Sequence, residues 1–324
     1  MKVAVLGATG AVGRTMLEVL EQRRFPADEL VLLASERSAG QRLRCFGREW
    51  TVQAVTDEAF DGCDVALFSA GAARSRTWAP IAAAAGAIVV DNSSGWRMDP
   101  QVPLVVPEVN GRRAAAPPRG IIANPNCATI QLVVALEALR REAELQRVVA
   151  TTFQSVSGAG NKGIAALNAE LKGEMAAETP FVAPIAHNVL PYIGARGPDG
   201  WNEEEDKIRL ETRKILESPE LPVAATCVRV PVRVGHSIAV TVELERALNA
   251  EQIAHAFSSM PGLVFCQDTD PLPIRAAGQD SVYVGHVRLD RDLPNTLHMW
   301  VVADNLRKGA ATNAVQIAEV LGNV

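Results

Sequence analysis

The feature that most constrains this chain is Gly7-Ala8-Thr9-Gly10-Ala11-Val12-Gly13, which follows the apolar run Val3 to Leu6 directly and opens a helix-patterned stretch, Val12 to Gln22. A glycine-punctuated turn from strand to helix lets the main chain approach a pyrophosphate, whose charge the helix N-terminus favours. The spacing is Gly-x-x-Gly-x-x-Gly, a relative of the dinucleotide fingerprint in the context that fingerprint requires. Beyond it, apolar runs alternate with helical patterns: Leu30 to Ala34, Val65 to Ser69, Trp78 to Ala85 and Ile88 to Asp91. Such alternation means βαβ units on a parallel sheet. Val65 to Phe68 and Ile88 to Val90 are apolar throughout, as strands covered on both faces must be.

The length of 324 residues suggests about two domains. From near Cys127 the texture changes. Strand-like runs at Val148 to Phe153, Cys227 to Val234, Ile238 to Leu244 and Leu297 to Val302 are set among helical patterns at Lys162 to Ala176, Trp201 to Leu216 and Ala310 to Leu321. The expected class is α/β: an N-terminal doubly wound, Rossmann-like parallel sheet domain, then a C-terminal α+β domain. A formal net charge of −5 leaves no electrostatic footprint for nucleic acid or an anionic membrane. The richest apolar stretch, Ile81 to Val90, contains Gly86 and falls short of the roughly 18 to 20 residues that span a bilayer. Met1 to Leu6 reads as a first strand, since its apolar part is too short for a signal peptide. Cys45, Cys63, Cys127, Cys227 and Cys266 are scattered, with no Cys-x-x-Cys pair and no histidine at ligand spacing. Neither a disulfide framework nor a metal site is expected, and the cytoplasm is the expected compartment.

Chemistry concentrates at Asn124-Pro125-Asn126-Cys127-Ala128-Thr129. The apolar run Ile121 to Ala123 precedes it, and Ala128 to Glu142 carries apolar residues at helical spacing. Cys127 therefore falls at a helix N-terminus, where unpaired N–H groups and the helix dipole favour a thiolate. A thiolate nucleophile needs a proton-transfer partner, and histidine is the usual one. His236, after a β-like run and Gly235, is the first candidate; His187, in a loop-rich stretch, is the second. His255 and His298 read as packed or surface residues.

Anion handling is legible as well. After the second strand, Ser35, Arg37 and Ser38 make a nest for an adenosine 2′-phosphate, which favours NADP, whereas Glu36 would repel that phosphate if it pointed inward. Arg97 follows a parallel strand at the end where doubly wound sheets bind ligands, and is a candidate for holding phosphate. Glu204 and Lys207 share a helix face, and spacing alone makes them a surface ion pair.

Together these residues resemble the aspartate-semialdehyde dehydrogenase family. The segments that carry the resemblance are Gly7 to Gly13, Ser93 to Met98, Asn124 to Thr129, Thr152 to Gly160, Glu204 to Lys207, Arg229 to His236, and Asp304 to Ala311. The resemblance implies NADP-dependent reductive dephosphorylation of L-4-aspartyl phosphate to aspartate 4-semialdehyde, reversible in the presence of inorganic phosphate, toward lysine, threonine and methionine. It implies that Cys127 carries a thioester, that His236 is the acid/base, and that Gln154 orients the acyl group. Arg97 and Lys207 would bind phosphate, Glu204 the substrate's α-amine and Arg229 its α-carboxylate, with Asn126 beside them. Gly7, Thr9, Gly10, Ala11, Val12, Ser35, Arg37, Ser38, Ser157, Gly158 and Asn305 would line the cofactor, Asn305 near the nicotinamide. The domains would be 1–127 with 303–324 for NADP, and 128–302 for catalysis and homodimerisation. Departures from the family pattern are Gly95-Trp96, Phe153 and Glu36. The rivals are N-acetyl-γ-glutamyl-phosphate reductase, whose cysteine has a different setting, and a non-catalytic paralogue, against which the retention of Cys127, Gln154 and His236 counts.

Overall fold

The computed structural model describes residues 1–322. The chain forms two compact units, one of Met1–Pro125 with the segment from Ala310 on, the other of Asn126–Gly309.

The first unit runs β1 (Lys2–Leu6), α1 (Ala11–Gln22), β2 (Glu29–Ala34), β3 (Arg42–Cys45), β4 (Arg48–Thr51), β5 (Gln53–Ala54), β6 (Val65–Phe68), α2 (Ala72–Ala84), β7 (Ile88–Asp91), α3 (Pro107–Asn110) and β8 (Ile121–Ala123). Six strands form a parallel sheet in the order β5-β2-β1-β6-β7-β8. The order reverses between β1 and β6, so a crevice opens at their carboxyl ends, where doubly wound sheets bind ligands. The turn after β1 fits because Gly7 adopts φ +90°, and a Cβ there would lie 2.4 Å from the Ser69 carbonyl oxygen. Gly13 is as constrained: its Cβ would stand 2.2 Å from the Gly7 oxygen.

Two elements differ from the sequence pattern. α2 begins at Ala72, ahead of the expected Trp78, because Ala72 to Thr77 is helical without an apolar period. The antiparallel hairpin of β3 and β4 carried no strand signal, since its residues are half charged.

The second unit runs α4 (Cys127–Arg140), β9 (Leu145–Gln154), α5 (Gly160–Glu170), α6 (Glu203–Ile215), β10 (Val223–Arg229), β11 (His236–Leu244), α7 (Ala250–Ser259), β12 (Leu263–Cys266), α8 (Pro273–Ala276), β13 (Val282–Leu289) and β14 (Thr296–Ala303). Its six-stranded sheet has the order β10-β9-β11-β14-β13-β12, parallel in the two outer pairs and antiparallel between them. α4 is apolar all round and buried from Ala128 to Leu139, as a central helix must be. Burial alternates along β9, β11 and β14. Val148, Ala150, Val240, Val242 and Met299 lie on the covered face, while Thr151, Phe153, Thr241, His298 and Trp300 stay half-exposed on the other.

The helix expected over Lys162 to Ala176 stops at Glu170, and the chain turns through Gly173 at φ +76°. The run expected over Cys227 to Val234 starts earlier, at Val223, and ends at Arg229, before Pro231. α6 starts at Glu203 because Asn202 forms a capping box with Glu205.

Ala303 pairs with His236 across β14 and β11, which holds the chain up to Gly309 in the second unit. After a π-helical turn, Arg307–Ala311, α9 (Thr312–Gly322) rejoins the first unit. There Glu319 pairs with Arg23 of α1 at 2.6 Å, and Ala314, Val315 and Ala318 join Met16 and Leu20 in one core. Among the described residues no helix is long and apolar enough to cross a membrane.

Candidate active site

Cys127 is the first residue of α4, and Asn126 fixes it there. Asn126 Oδ1 accepts from the N–H groups of Ala128 at 2.9 Å and Thr129 at 3.3 Å. Its Nδ2 donates to Glu204 Oε1 at 2.7 Å, and its main-chain N–H donates to Glu211 Oε2 at 2.6 Å. Asn126 thus caps the helix with its side chain and is tied to two buried carboxylates, to Glu204 through that side chain and to Glu211 through its main chain. Gly309 completes the seat: a Cβ there would come within 3.0 Å of Cys127 Cβ.

His236, not His187, meets the sulfur, with Nε2 3.2 Å from Cys127 Sγ. The Ser155 main-chain N–H donates to His236 Nδ1 at 3.1 Å. Since that group only donates, Nδ1 carries a lone pair, and the hydrogen of the neutral ring sits on Nε2, facing the sulfur. The ring is neutral because complete burial, and then the Arg229 charge, hold it well below the usual histidine range. Behind the ring, Ser155 Oγ lies 3.1 Å from Nδ1, and the Ser155 and Ser157 hydroxyls each reach Asn305 Oδ1 at 3.0 Å. Gly235 N–H donates to the same oxygen at 2.9 Å, which fixes the way the Asn305 amide faces.

The other four thiols are poor nucleophiles. Burial pushes Cys63, Cys227 and Cys266 above the ordinary thiol value and Cys45 up to about 12.

Charged groups gather around the pair. Glu204 Oε1 accepts from Gln154 Nε2 at 3.2 Å as well as from Asn126, and Gln154 Nε2 also reaches Thr152 Oγ1 at 3.3 Å. Lys207 lies 3.5 Å from Glu204 Oε2 and 2.8 Å from Glu203, so it forms the ion pair that spacing predicts. Glu204 itself is buried, which a surface pair would not be. Arg229 is buried too and donates to the Ser155 carbonyl at 2.7 Å. Gly158 packs against both groups: a Cβ there would lie 2.8 Å from Arg229 Nη1 and 3.3 Å from His236 Cε1.

The remaining expected residues lie in the first unit. Arg97 is buried beyond β7 and β8, donating to the Asn124 carbonyl at 3.0 Å and the Asn92 carbonyl at 2.8 Å. A cleft of about 260 Å³ at the sheet crevice is lined by Gly7, Thr9, Gly10, Ser35, Arg37 and Ser38 among others, and Glu36 is not part of its wall. Ala11 and Val12 form the first turn of α1, whose cap residue Gly10 places no side chain over the turn. A close-approach glycine turn, a bare helix N-terminus and a cation fit a dinucleotide phosphate.

His187 adopts φ +59° and lines a different cavity, with Phe181 and Glu170. His255 is exposed on α7, and His298 bridges Thr241 at 2.9 Å and Asp290 at 2.7 Å. Sequence reasoning assigned no role to Ser155, Glu211, Gly309 or Arg74. Ser155 and Gly309 lie inside the segments that carry the resemblance, and Arg74 follows the strand end Phe68-Ser69-Ala70-Gly71, the signal that marks a ligand-facing turn.

The family described as "Semialdehyde dehydrogenase, NAD binding domain" matches residues 2–116, and "Semialdehyde dehydrogenase, dimerisation domain" matches residues 136–308. The chain is 51% identical to an aspartate-semialdehyde dehydrogenase of Aquifex aeolicus, over 99% of this chain and 97% of the relative. With the Bacillus subtilis aspartate-semialdehyde dehydrogenase it shares 46% identity over 99% and 97% of the two chains. The crystal structure of Vibrio cholerae aspartate semialdehyde dehydrogenase II complexed with ASA superposes with a TM-score of 0.96 at 48% identity, covering 99% of this chain and 98% of that one. A Candida albicans aspartate semialdehyde dehydrogenase solved with NADP gives 0.76 at 26% identity over 99% and 98%. The chain therefore belongs to the aspartate-semialdehyde dehydrogenase family and has that family's activity, on a nicotinamide-dinucleotide-binding domain joined to a dimerisation domain.

Proposed function

We propose that Cys127 is the nucleophile of this reaction, and the observation that carries the reading is its 3.2 Å contact with a neutral, buried His236 at the N-terminus of α4. In the reductive direction the Cys127 thiolate attacks the acyl carbon of aspartyl phosphate. A C–S bond forms, the C–O bond to phosphate breaks, and a thioester and inorganic phosphate result. The nicotinamide cofactor, when bound, supplies the hydride that reduces the thioester carbon. The hemithioacetal on Cys127 then breaks its C–S bond, releasing the semialdehyde and restoring the thiolate.

His236 offers its Nε2–H to the oxyanion on that carbon and serves as the acid/base there. Gln154, anchored through Nε2 on Glu204 and Thr152, orients the acyl group. Glu204 and Arg229 suit the α-amine and α-carboxylate of the substrate, being buried charges of opposite sign. Lys207 and Arg97 supply cations for phosphate, and Asn126 acts by positioning Cys127. NADP is the proposed cofactor, with Ser35, Arg37 and Ser38 on its 2′-phosphate, and the turn after Gly7 with the first turn of α1 on its pyrophosphate. Ser157, Gly158 and Asn305 are proposed at the nicotinamide end. Asn305 Nδ2, which has no hydrogen bond to the described residues, suits a carboxamide. A homodimer through the half-exposed sheet face of β9, β11 and β14 fits the dimerisation domain.

The test is the absorbance of reduced nicotinamide when the protein meets NADP and aspartate 4-semialdehyde, with and without inorganic phosphate. Phosphate-dependent reduction that Cys127→Ala abolishes, while leaving cofactor binding intact, is expected. A Cys127→Ala protein with wild-type turnover would remove this mechanism.

A further inference from the structure

Arg74 has no role so far, yet it stands on the wall of the cofactor cleft. It lies in the first turn of α2, just past the carboxyl end of β6, and lines the same cleft as Ser35, Arg37 and Ser38, which come from the turn after β2. Arg37 and Arg74 thus approach one cleft from two different elements. Neither makes a hydrogen bond or ion pair with the described residues, and no carboxylate lines the cleft.

Charge decides what such a pair suits. A phosphate monoester carries close to two negative charges at neutral pH, with a second pKa of about 6. One guanidinium neutralises about half of that; two match it. The pyrophosphate of a dinucleotide has another source of donors, the uncapped first turn of α1. The 2′-phosphate has no helix terminus assigned to it and depends on side chains, so a second arginine changes most there. Glu36, which the sequence leaves as an obstacle to a 2′-phosphate, does not form part of the wall.

We propose that Arg74 is a second cationic contact for the adenosine 2′-phosphate, acting with Arg37 to set a preference for NADP over NAD. The proposal rests on the NADP reading above. Arg74 is solvent-exposed and carries no structural contact, so its replacement leaves the fold intact.

Two fragments that lack a nicotinamide, 2′,5′-ADP and 5′-AMP, differ by the 2′-phosphate alone, and calorimetric titration of both tests the proposal without turnover. The wild-type protein is expected to bind 2′,5′-ADP more tightly. Arg74→Ala should weaken 2′,5′-ADP by about tenfold, as loss of a charge-assisted hydrogen bond does, and leave 5′-AMP unchanged. Arg74→Lys should recover part of that loss, and Arg37→Ala should reproduce the pattern. Equal weakening of both fragments would assign Arg74 to the adenine or the 5′-phosphate and overturn the proposal, as would an unchanged affinity for 2′,5′-ADP. If the wild type binds both fragments equally, the NADP reading falls first and takes this proposal with it. Loss confined to Arg37→Ala would sink the Arg74 role and keep NADP.

Discussion

His236 is held by a main-chain N–H and a serine hydroxyl, with its hydrogen toward the sulfur. A histidine kept neutral by burial has a consequence for stability. Unfolded, the ring binds a proton below about pH 6.5; folded, its pKa is lower, so between the two values the unfolded chain binds more protons. Stability is therefore complete above about pH 6.5 and falls as the pH drops below it. Urea-denaturation midpoints across that range should decline more steeply toward acid for the wild type than for His236→Gln. Parallel slopes would show that His236 is not the titrating group. The cysteine could be located from sequence, because Asn-Pro-Asn before an apolar helical run is a local signal. His236 followed as a candidate after Gly235. The partners behind it were not legible: Ser155 and Asn305 are 81 and 150 residues away from His236 and Ser155 respectively, and only strand register brings them together.

At the scale of elements, α6 carries Glu204 and Lys207, the charges proposed for substrate and phosphate, in its first turns, so its N-terminus must be fixed. Asn202 does this by accepting from Glu204 N and Glu205 N at 3.1 Å each, while Glu205 Oε2 accepts from Asn202 N at 3.0 Å. Four acidic residues in the first turn and two basic ones in the last complement the helix dipole. Asn202→Ala should cost about 1 to 2 kcal/mol of stability, near the upper end for a cap because the site is buried. A denaturation midpoint unmoved by the substitution would mean that the cap is redundant. Elements with a strong period, such as β1, α1, β6 and α4, could be placed from sequence within a residue or two. Others could not. The β3–β4 hairpin hides its two inward residues, Leu43 and Cys45, among arginines, and α5 overshoots in sequence because Leu171 and Met175 continue a helical period that Gly173 breaks.

At the scale of the molecule, one sheet has both faces covered and the other has one face half-open. Phe153 and Trp300 pack at 5.4 Å on that open face, beside Thr151 and Thr241. A half-exposed sheet face that presents two packed aromatics is suited to a second copy, so Thr151→Arg should convert the proposed dimer to a monomer. Light scattering coupled to gel filtration reads this directly, and an unchanged dimer mass would move the interface elsewhere. The same sheet also decides where the His236 hydrogen resides. Ser155 follows the last residue of β9 and His236 opens β11, and the pairing of Phe153 with Ser237 sets their separation. The donor to Nδ1 belongs to the peptide backbone, so apart from proline no replacement at position 155 removes it. The proton's address at this site is inherited with the architecture and, proline apart, does not depend on which side chain stands at position 155.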